Sequence, residues 1–230
     1  MRVADTVLVK KPHLTQNFTN VQVQELARCM TDPIYFIETY CNVQHPVKGR
    51  MKFQLYQFQK ELIEVYNDFR YSIAMLPRQT GKSTTAAAYL LWYAMFKPDS
   101  TILVASNKYL GASEIMTRLR FAYETLPEWI KAGATSYNKG SIEFDNGSRI
   151  VAQATTENTG RGMSLTLVYL DEFAFVPPRI ANEFWTSLSP TLATGGKCII
   201  TSTPNQDNDQ FAQIWKASNP EDEYGNITEL

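Results

Sequence analysis

Apolar residues along this chain fall into amphipathic stretches of helical period and short apolar runs without alternation. From Val21 to Tyr40, the spacing of Val23, Leu26, Ala27, Met30, Ile34, Phe36 and Ile37 predicts one or two short helices. The break falls at Asp32-Pro33, because a residue before proline is pushed out of the helical region. Asn42 to Met51 reads as a loop, and residues 1–20 as a weakly structured lead with a short β-like stretch. Leu55 to Phe69 predicts an amphipathic helix with Phe58, Leu62, Val65, Tyr66 and Phe69 on one side.

Strands and helices then alternate. Tyr71–Leu76, Thr101–Ser106, Leu165–Leu170 and Lys197–Ser202 are apolar strands. Helices are predicted from the Gly-Lys-Ser turn to about Phe96, and over Tyr109–Thr125, Arg179–Leu188 and Asn208–Ala217. Ser141–Phe144 and Arg149–Gln153 form a hairpin around Asp145-Asn146-Gly147-Ser148, whose Asn-Gly pair suits positive φ. Apolar strands that do not alternate, each followed by a helix, predict an α/β fold: a mostly parallel sheet with helices on both faces. The predicted division is residues 1–50 as an N-terminal extension and small helical subdomain, 51–218 as the core, and 219–230 as an acidic tail opening a linker.

Composition adds limits. With 230 residues, 44% hydrophobic and 20% charged, the chain suffices for one large domain with a small subdomain. The net charge of -1 carries no global basic signature, so any DNA contact needs a local patch or another domain. Lys108, Arg118, Arg120 and Lys131 read as an ordinary solvated helix face. Cys29, Cys41 and Cys198 are far apart and accompany no histidine cluster, which points to buried, reduced thiols rather than zinc or a disulfide framework. Neither a signal peptide nor a membrane-spanning run is present, so a soluble, intracellular protein is expected.

Two segments carry chemistry. Pro77-Arg78-Gln79-Thr80-Gly81-Lys82-Ser83 joins a buried strand to a long helix. A triphosphate needs inward backbone N–H groups, a positive helix N-terminus, a lysine and a hydroxyl for Mg²⁺. Gly81 allows close backbone approach, Lys82 reaches the β- and γ-phosphates, and Ser83 ligates the metal. The glycine usual five positions before the Gly-Lys pair is replaced by Leu76. The second segment, Leu165 to Glu172, is an apolar strand ending in two acids. Asp171 is suited to hold Mg²⁺, and Glu172 to polarise the attacking water as general base. A solvated Gly-Lys-Ser cap and a solvated Asp-Glu loop are the bland alternatives; together, the pair predicts Walker-type partners on adjacent strands of one sheet.

These residues resemble the large terminase subunits of tailed phages, of the long-tailed myovirus branch. The arginine inside the phosphate loop resembles that family's deviant Walker A, and Leu167–Glu172 its Walker B with the catalytic glutamate. Tyr56-Gln57 is similar to its adenine motif, Thr201–Asn205 to its coupling motif, and DPIYFIETYCNVQHP to its N-terminal subdomain. The resemblance spans roughly residues 30 to 220 and implies a RecA-like P-loop ATPase using ATP and Mg²⁺. It also implies double-stranded DNA, portal protein, the small terminase subunit and a self-associated pentameric ring as partners, in host cytoplasm on a procapsid. Each carried-over role has a plainer counterpart. Tyr56 stacks on adenine and Gln57 reads its edge, or both face solvent. Arg78 stabilises the γ-phosphate in cis, or pairs with a nearby acid. Thr203 senses the γ-phosphate, or Thr201 and Thr203 only extend a strand. Arg161, in a glycine-flanked loop, reaches a neighbouring subunit's ATP, or is a solvated charge.

Full-length large terminases add an RNase H-like nuclease; with the chain ending at Leu230, no DNA cleavage is expected from it. The alternatives are a superfamily-2-like helicase fragment, which needs a second RecA-like domain, and a non-catalytic nucleotide-gated assembly module, against which Glu172 counts.

Overall fold

The computed structural model describes residues 8–192 and 195–218, so the tail 219–230 and the first seven residues lie outside the described part. Helices α1 (Asn20–Thr31) and α2 (Pro33–Tyr40) are divided where expected. Asp32 ends one helix and caps the next, its carboxylate accepting the Tyr35 N–H at 2.8 Å, with Pro33 in the first turn where a missing N–H is harmless. Thr19 and Gln22 make a reciprocal capping box at the start of α1.

The segment expected to be a loop is instead an antiparallel hairpin, β1 (Asn42–His45) and β2 (Gly49–Lys52). Pro46 and Gly49 mark its turn, not a structureless stretch; the His45 Nδ1 accepts the N–H groups of Val47 and Lys48, and Gly49 has φ 69°. Helix α3 (Gln57–Asp68) also departs from expectation, since it buries Gln59, Ile63 and Tyr66. Phe69 is 57% exposed, and Phe58 and Val65 are exposed as well. Of the apolar stripe counted along the sequence, Tyr66 is buried and Leu62 packs against the core, but Phe58, Val65 and Phe69 do not, and the packed face is turned towards Gln59 and Ile63.

The rest runs β3 (Tyr71–Met75), α4 (Lys82–Phe96), β4 (Thr101–Ser106), α5 (Tyr109–Glu124), β5 (Ala134–Tyr137), β6 (Ser141–Phe144), β7 (Arg149–Ala154) and β8 (Leu167–Asp171). A 3-10 turn (Phe173–Phe175), α6 (Pro178–Leu192), β9 (Lys197–Ser202) and α7 (Gln210–Ser218) follow. The sheet order is β3-β9-β8-β4-β7-β6-β5, with the first five strands parallel and β6 antiparallel to both neighbours. β5 is an element that the apolar pattern missed. β3 and β8 are not adjacent, as the motif spacing suggested: β9, the last strand in sequence, lies between them.

Alternation is present in the strands but hidden, because both sheet faces are covered. Leu167, Tyr169, Ile102, Val104 and Ile199 enter one core. Val168, Leu170, Leu103, Ala105, Cys198 and Ile200 enter the other, with Phe173, Phe184 and Phe211. α4 is buried almost all round, from Ala86 to Phe96, under α1–α3. Trp92 Nε1 donates to the Cys29 carbonyl at 2.7 Å, and Phe36 meets Phe96 edge-on at 5.3 Å. The N-terminal helices thus share one core with α4. All three thiols are buried, and burial pushes Cys29 and Cys198 up to about 12.

Of the four cations assigned to a solvated helix face, Lys108 and Arg118 are exposed, whereas Lys131 lies beyond α5 and is 3% exposed. Its ammonium donates to the Leu8 carbonyl at 3.2 Å and faces Glu128 at 3.4 Å. Lys10 reciprocates by donating to the Lys131 carbonyl at 2.9 Å. This exchange, with His13 N–H on Asp145 at 3.0 Å, straps the irregular lead onto the β5–β6 end of the sheet.

Because Phe36 is fully buried between the N-terminal helices and α4, Phe36→Ala is expected to destabilise the domain by about 3–5 kcal/mol in urea denaturation, as one cooperative transition. A separate minor transition carrying the loss would instead mark residues 1–50 as an independent subdomain.

Candidate nucleotide-binding site

The loop after β3 is shaped by two residues with positive φ, Gln79 at 63° and Gly81 at 79°. Gly81 starts α4, and its carbonyl accepts the N–H groups of Thr84 and Thr85. A side chain at Gly81 is excluded twice: by the left-handed backbone, and because a Cβ there would stand 2.8 Å from Gln59 Nε2. Gln59, 3% exposed, donates to the Thr80 carbonyl at 3.0 Å while its Oε1 accepts the Tyr56 N–H at 3.0 Å. The Thr80 hydroxyl closes the loop onto the Pro77 carbonyl at 3.0 Å.

Opposite the loop, β8 delivers its two acids. The Ser83 hydroxyl stands 3.4 Å from both oxygens of Asp171. Tyr169 OH and Thr201 Oγ1 each lie 3.2 Å from Asp171 Oδ1 and 2.8 Å from one another. Burial, then the neighbouring Glu172 charge, raise the Asp171 carboxyl above its ordinary value despite these donors. Glu172 has φ 51°, an uncommon backbone for a residue with a side chain, which turns its carboxylate back over the loop. Oε1 meets the Lys82 ammonium at 2.7 Å. Oε2 accepts from the Thr203 N–H at 3.2 Å and the Thr203 hydroxyl at 2.9 Å. Burial alone would raise Glu172; the Lys82 ammonium and the two Thr203 donors outweigh it and hold the carboxyl low.

These groups border a cleft of about 310 Å³ lined by Arg78, Gln79, Lys82, Asn107, Glu172 and Phe175. The Arg78 guanidinium lies 5.9 Å from the Phe175 ring centre, at the cleft, and pairs with no acid among the described residues. A second cavity of the same size lies beneath the β1–β2 hairpin, against Phe53, Thr84 and Phe121, and contains neither the lysine nor the acids.

Of the residues singled out in the sequence, the fold brings together Arg78, Gln79, Thr80, Gly81, Lys82, Ser83, Asp171, Glu172 and Thr203. Two stay apart. Gln57 is exposed and donates to Glu61 at 3.2 Å, so the glutamine that touches the loop is Gln59, two residues on and across the helix. Arg161 is exposed in the loop between β7 and β8 and does not line the cleft. Tyr56 is 69% exposed, its ring stacked on Phe58 at 6.0 Å. Sequence reasoning missed Asn107 and Phe175, although Asn107 directly follows a parallel strand, at the sheet edge where α/β folds bind ligands.

A lysine loop after one parallel strand, an acid pair after the next but one, and a strand inserted between them define the RecA-like class of P-loop folds. Within it, the chain belongs to the family described as terminase large subunit, T4-like-virus type, N-terminal, whose model matches residues 73–229. Among solved structures it is similar to an ATPase-domain variant of the Thermus phage P74-26 large terminase, at 20% identity and a TM-score of 0.55, over 69% of this chain and 68% of that one. It is also similar to the large terminase of bacteriophage HK97, at 20% identity and a TM-score of 0.65, over 82% of this chain and 40% of that one. A third likeness is to the large terminase of a thermophilic bacteriophage in complex with ADP, at 13% identity and a TM-score of 0.57, over 70% of this chain and 42% of that one. The matched part is less than half the length of the second and third of these proteins.

Gln59→Ala is expected to weaken binding of a fluorescent ADP about ten-fold, the scale of one lost buried hydrogen bond. Gln57→Ala, on the solvent face, should leave it within about two-fold. The reverse order would favour Gln57 as the base-reading residue.

Proposed function

We propose that this domain hydrolyses ATP with Mg²⁺, and that hydrolysis drives double-stranded viral DNA into a procapsid. What supports the proposal above all is that Lys82 and Glu172 meet in one cleft, with their chain neighbours Ser83 and Asp171 bonded to each other, in a chain of the terminase family. The donor set suits magnesium. Ser83 and Asp171 offer hard oxygens 3.4 Å apart, close to the separation of about 3 Å that neighbouring ligands of an octahedral ion with bonds of about 2.1 Å require. Bound there, the metal would neutralise charge on the phosphates.

The chain's own groups then have distinct tasks. Lys82, at the positive end of α4, meets the β- and γ-phosphates. Its ammonium pairs with Glu172; a γ-phosphate would compete for that ammonium and leave the carboxylate to take a proton from water. Thr203 fixes the orientation of that carboxylate. Arg78, which lines the cleft beside Phe175, is proposed to stabilise charge on the transferred phosphoryl group. Tyr56 is proposed to stack on adenine and Arg161 to act on a neighbouring subunit, which fits its exposure. The proposal extends to portal protein, the small terminase subunit and a ring of copies as partners, in the host cytoplasm on a procapsid. DNA cleavage is no part of it. Within the described residues no helix is long and apolar enough to cross a membrane.

Phosphate release measured with DNA present tests the chemistry. Glu172→Gln keeps the acceptor for Thr203 but loses the base, so hydrolysis is expected to fall at least about 100-fold. Having also lost Lys82's internal partner, it should bind ATP several-fold more tightly than wild type. Chelation of Mg²⁺ should abolish turnover. A wild-type protein that binds ATP but releases no phosphate under any of these conditions would favour a non-catalytic, nucleotide-gated module.

A further inference from the structure

We propose that Asn107 is a further catalytic residue, its side-chain amide donating a hydrogen bond to the γ-phosphate during hydrolysis. This rests on the ATPase function proposed above and assigns a new group to the same cleft. β4 and β8 pair in parallel with Ser106 beside Asp171, so the next residues, Asn107 and Glu172, leave the sheet side by side and both line the cleft. Glu172 is thereby flanked on two sides: by Thr203 after β9 and by Asn107 after β4.

Among the described residues, none accepts a hydrogen bond from the Asn107 Nδ2. Asparagine is among the preferred residues for capping a helix, yet the cap of α5 is Lys108, with no side-chain cap bond. The Asn107 Oδ1 receives the Ser106 hydroxyl at 3.4 Å, which turns the two-proton Nδ2 end away from that contact. The frame around it is tight. Gly111 in the first turn of α5 sits so close that a Cβ would be 2.5 Å from Ser106 Oγ, and the Ser106 carbonyl is held by Thr155 N–H at 2.8 Å. A donor on such a frame reaches charge without reorganising, which is the condition for stabilising a transition state.

In the reaction, the water oxygen bonds to the γ-phosphorus while the bond to the bridging oxygen breaks, its electron pair leaving on ADP. Glu172 takes the water proton. The phosphoryl oxygens carry the charge throughout, and Asn107 faces them from the side opposite Lys82's own element. ADP lacks this group, which gives the proposal a signature independent of turnover.

The experiment measures ATP hydrolysis, together with equilibrium binding of ATPγS and of ADP, for wild type, Asn107→Ala and Asn107→Asp. Both variants are expected to lose about 100-fold in kcat, as for other preorganised donors. ATPγS affinity should fall several-fold, more for the like-charged aspartate, with ADP affinity unchanged. Wild-type kcat and ATPγS affinity in either variant would overturn the proposal. So would an equal loss of ADP and ATPγS affinity, the mark of a displaced loop. The ATPγS-against-ADP comparison decides Asn107 even if wild type releases no phosphate, the outcome that would count against the ATPase reading instead. Asn107→Asp is nearly isosteric and carries the test where Asn107→Ala does not fold.

Discussion

A buried ammonium must have a counter-charge, and in this molecule that requirement falls on Lys82. It is 6% exposed at the first position of α4, and Glu172, at 2.7 Å, is the group that answers it. Desolvating both charges is expensive unless their remaining hydrogen-bonding capacity is used. Here it is: the second carboxylate oxygen takes two donors from Thr203. The positive φ of Glu172 follows from the same demand, since an extended backbone after Asp171 would carry the carboxylate onward, away from the lysine. Removing either partner leaves an uncompensated charge in a place built for two.

That pair can form only because of the strand order. Lys82 follows β3 and Glu172 follows β8, and the two strands are separated by β9. The gap is wide enough for a cleft, and β9 supplies what fills its floor. Thr201 is the register partner of Asp171 and bonds it. Thr203 lies beyond the strand end and bonds Glu172. Had the two motif strands been neighbours, as the sequence spacing suggested, the acids would crowd the loop and the threonines would have no part in the site. The strand between them comes last among the described strands, and this is why spacing between two motifs did not reveal it.

What was legible in the sequence is what local chemistry decides. The Asp32-Pro33 break, the Asn-Gly hairpin turn, the doubly covered strands and the Gly-Lys-Ser helix start were all readable, because each depends on residues within a few positions. What failed depends on distant partners. Gln59 was overlooked in favour of Gln57 since nothing along the helix distinguishes a glutamine facing the phosphate loop from one facing water. Lys131 looked like a surface charge because its acceptor is a backbone carbonyl more than a hundred residues earlier. The β1–β2 hairpin has almost no apolar alternation to advertise it. Asn107 carries no local signal beyond its place after a strand.

The way the site is wired also fixes how far a change in it can travel. Glu172 is joined through Thr203 to the segment after β9, and that segment is not free at its other end. Asn205 donates to the Ala174 carbonyl at 3.1 Å, and the Ser202 hydroxyl accepts the Ala174 N–H at 3.2 Å. Phe173 and Phe211 lie in the same core, so the 3-10 turn after Glu172 is packed against α7. Thr203 through Asn205 is therefore tied on both sides to the turn that begins at Glu172. Glu172 therefore cannot swing without straining either the Thr203 bonds or the Ala174 contacts. A close-packed interface resists piecemeal displacement, so the 3-10 turn and α7 together hold Glu172 where Lys82 meets it.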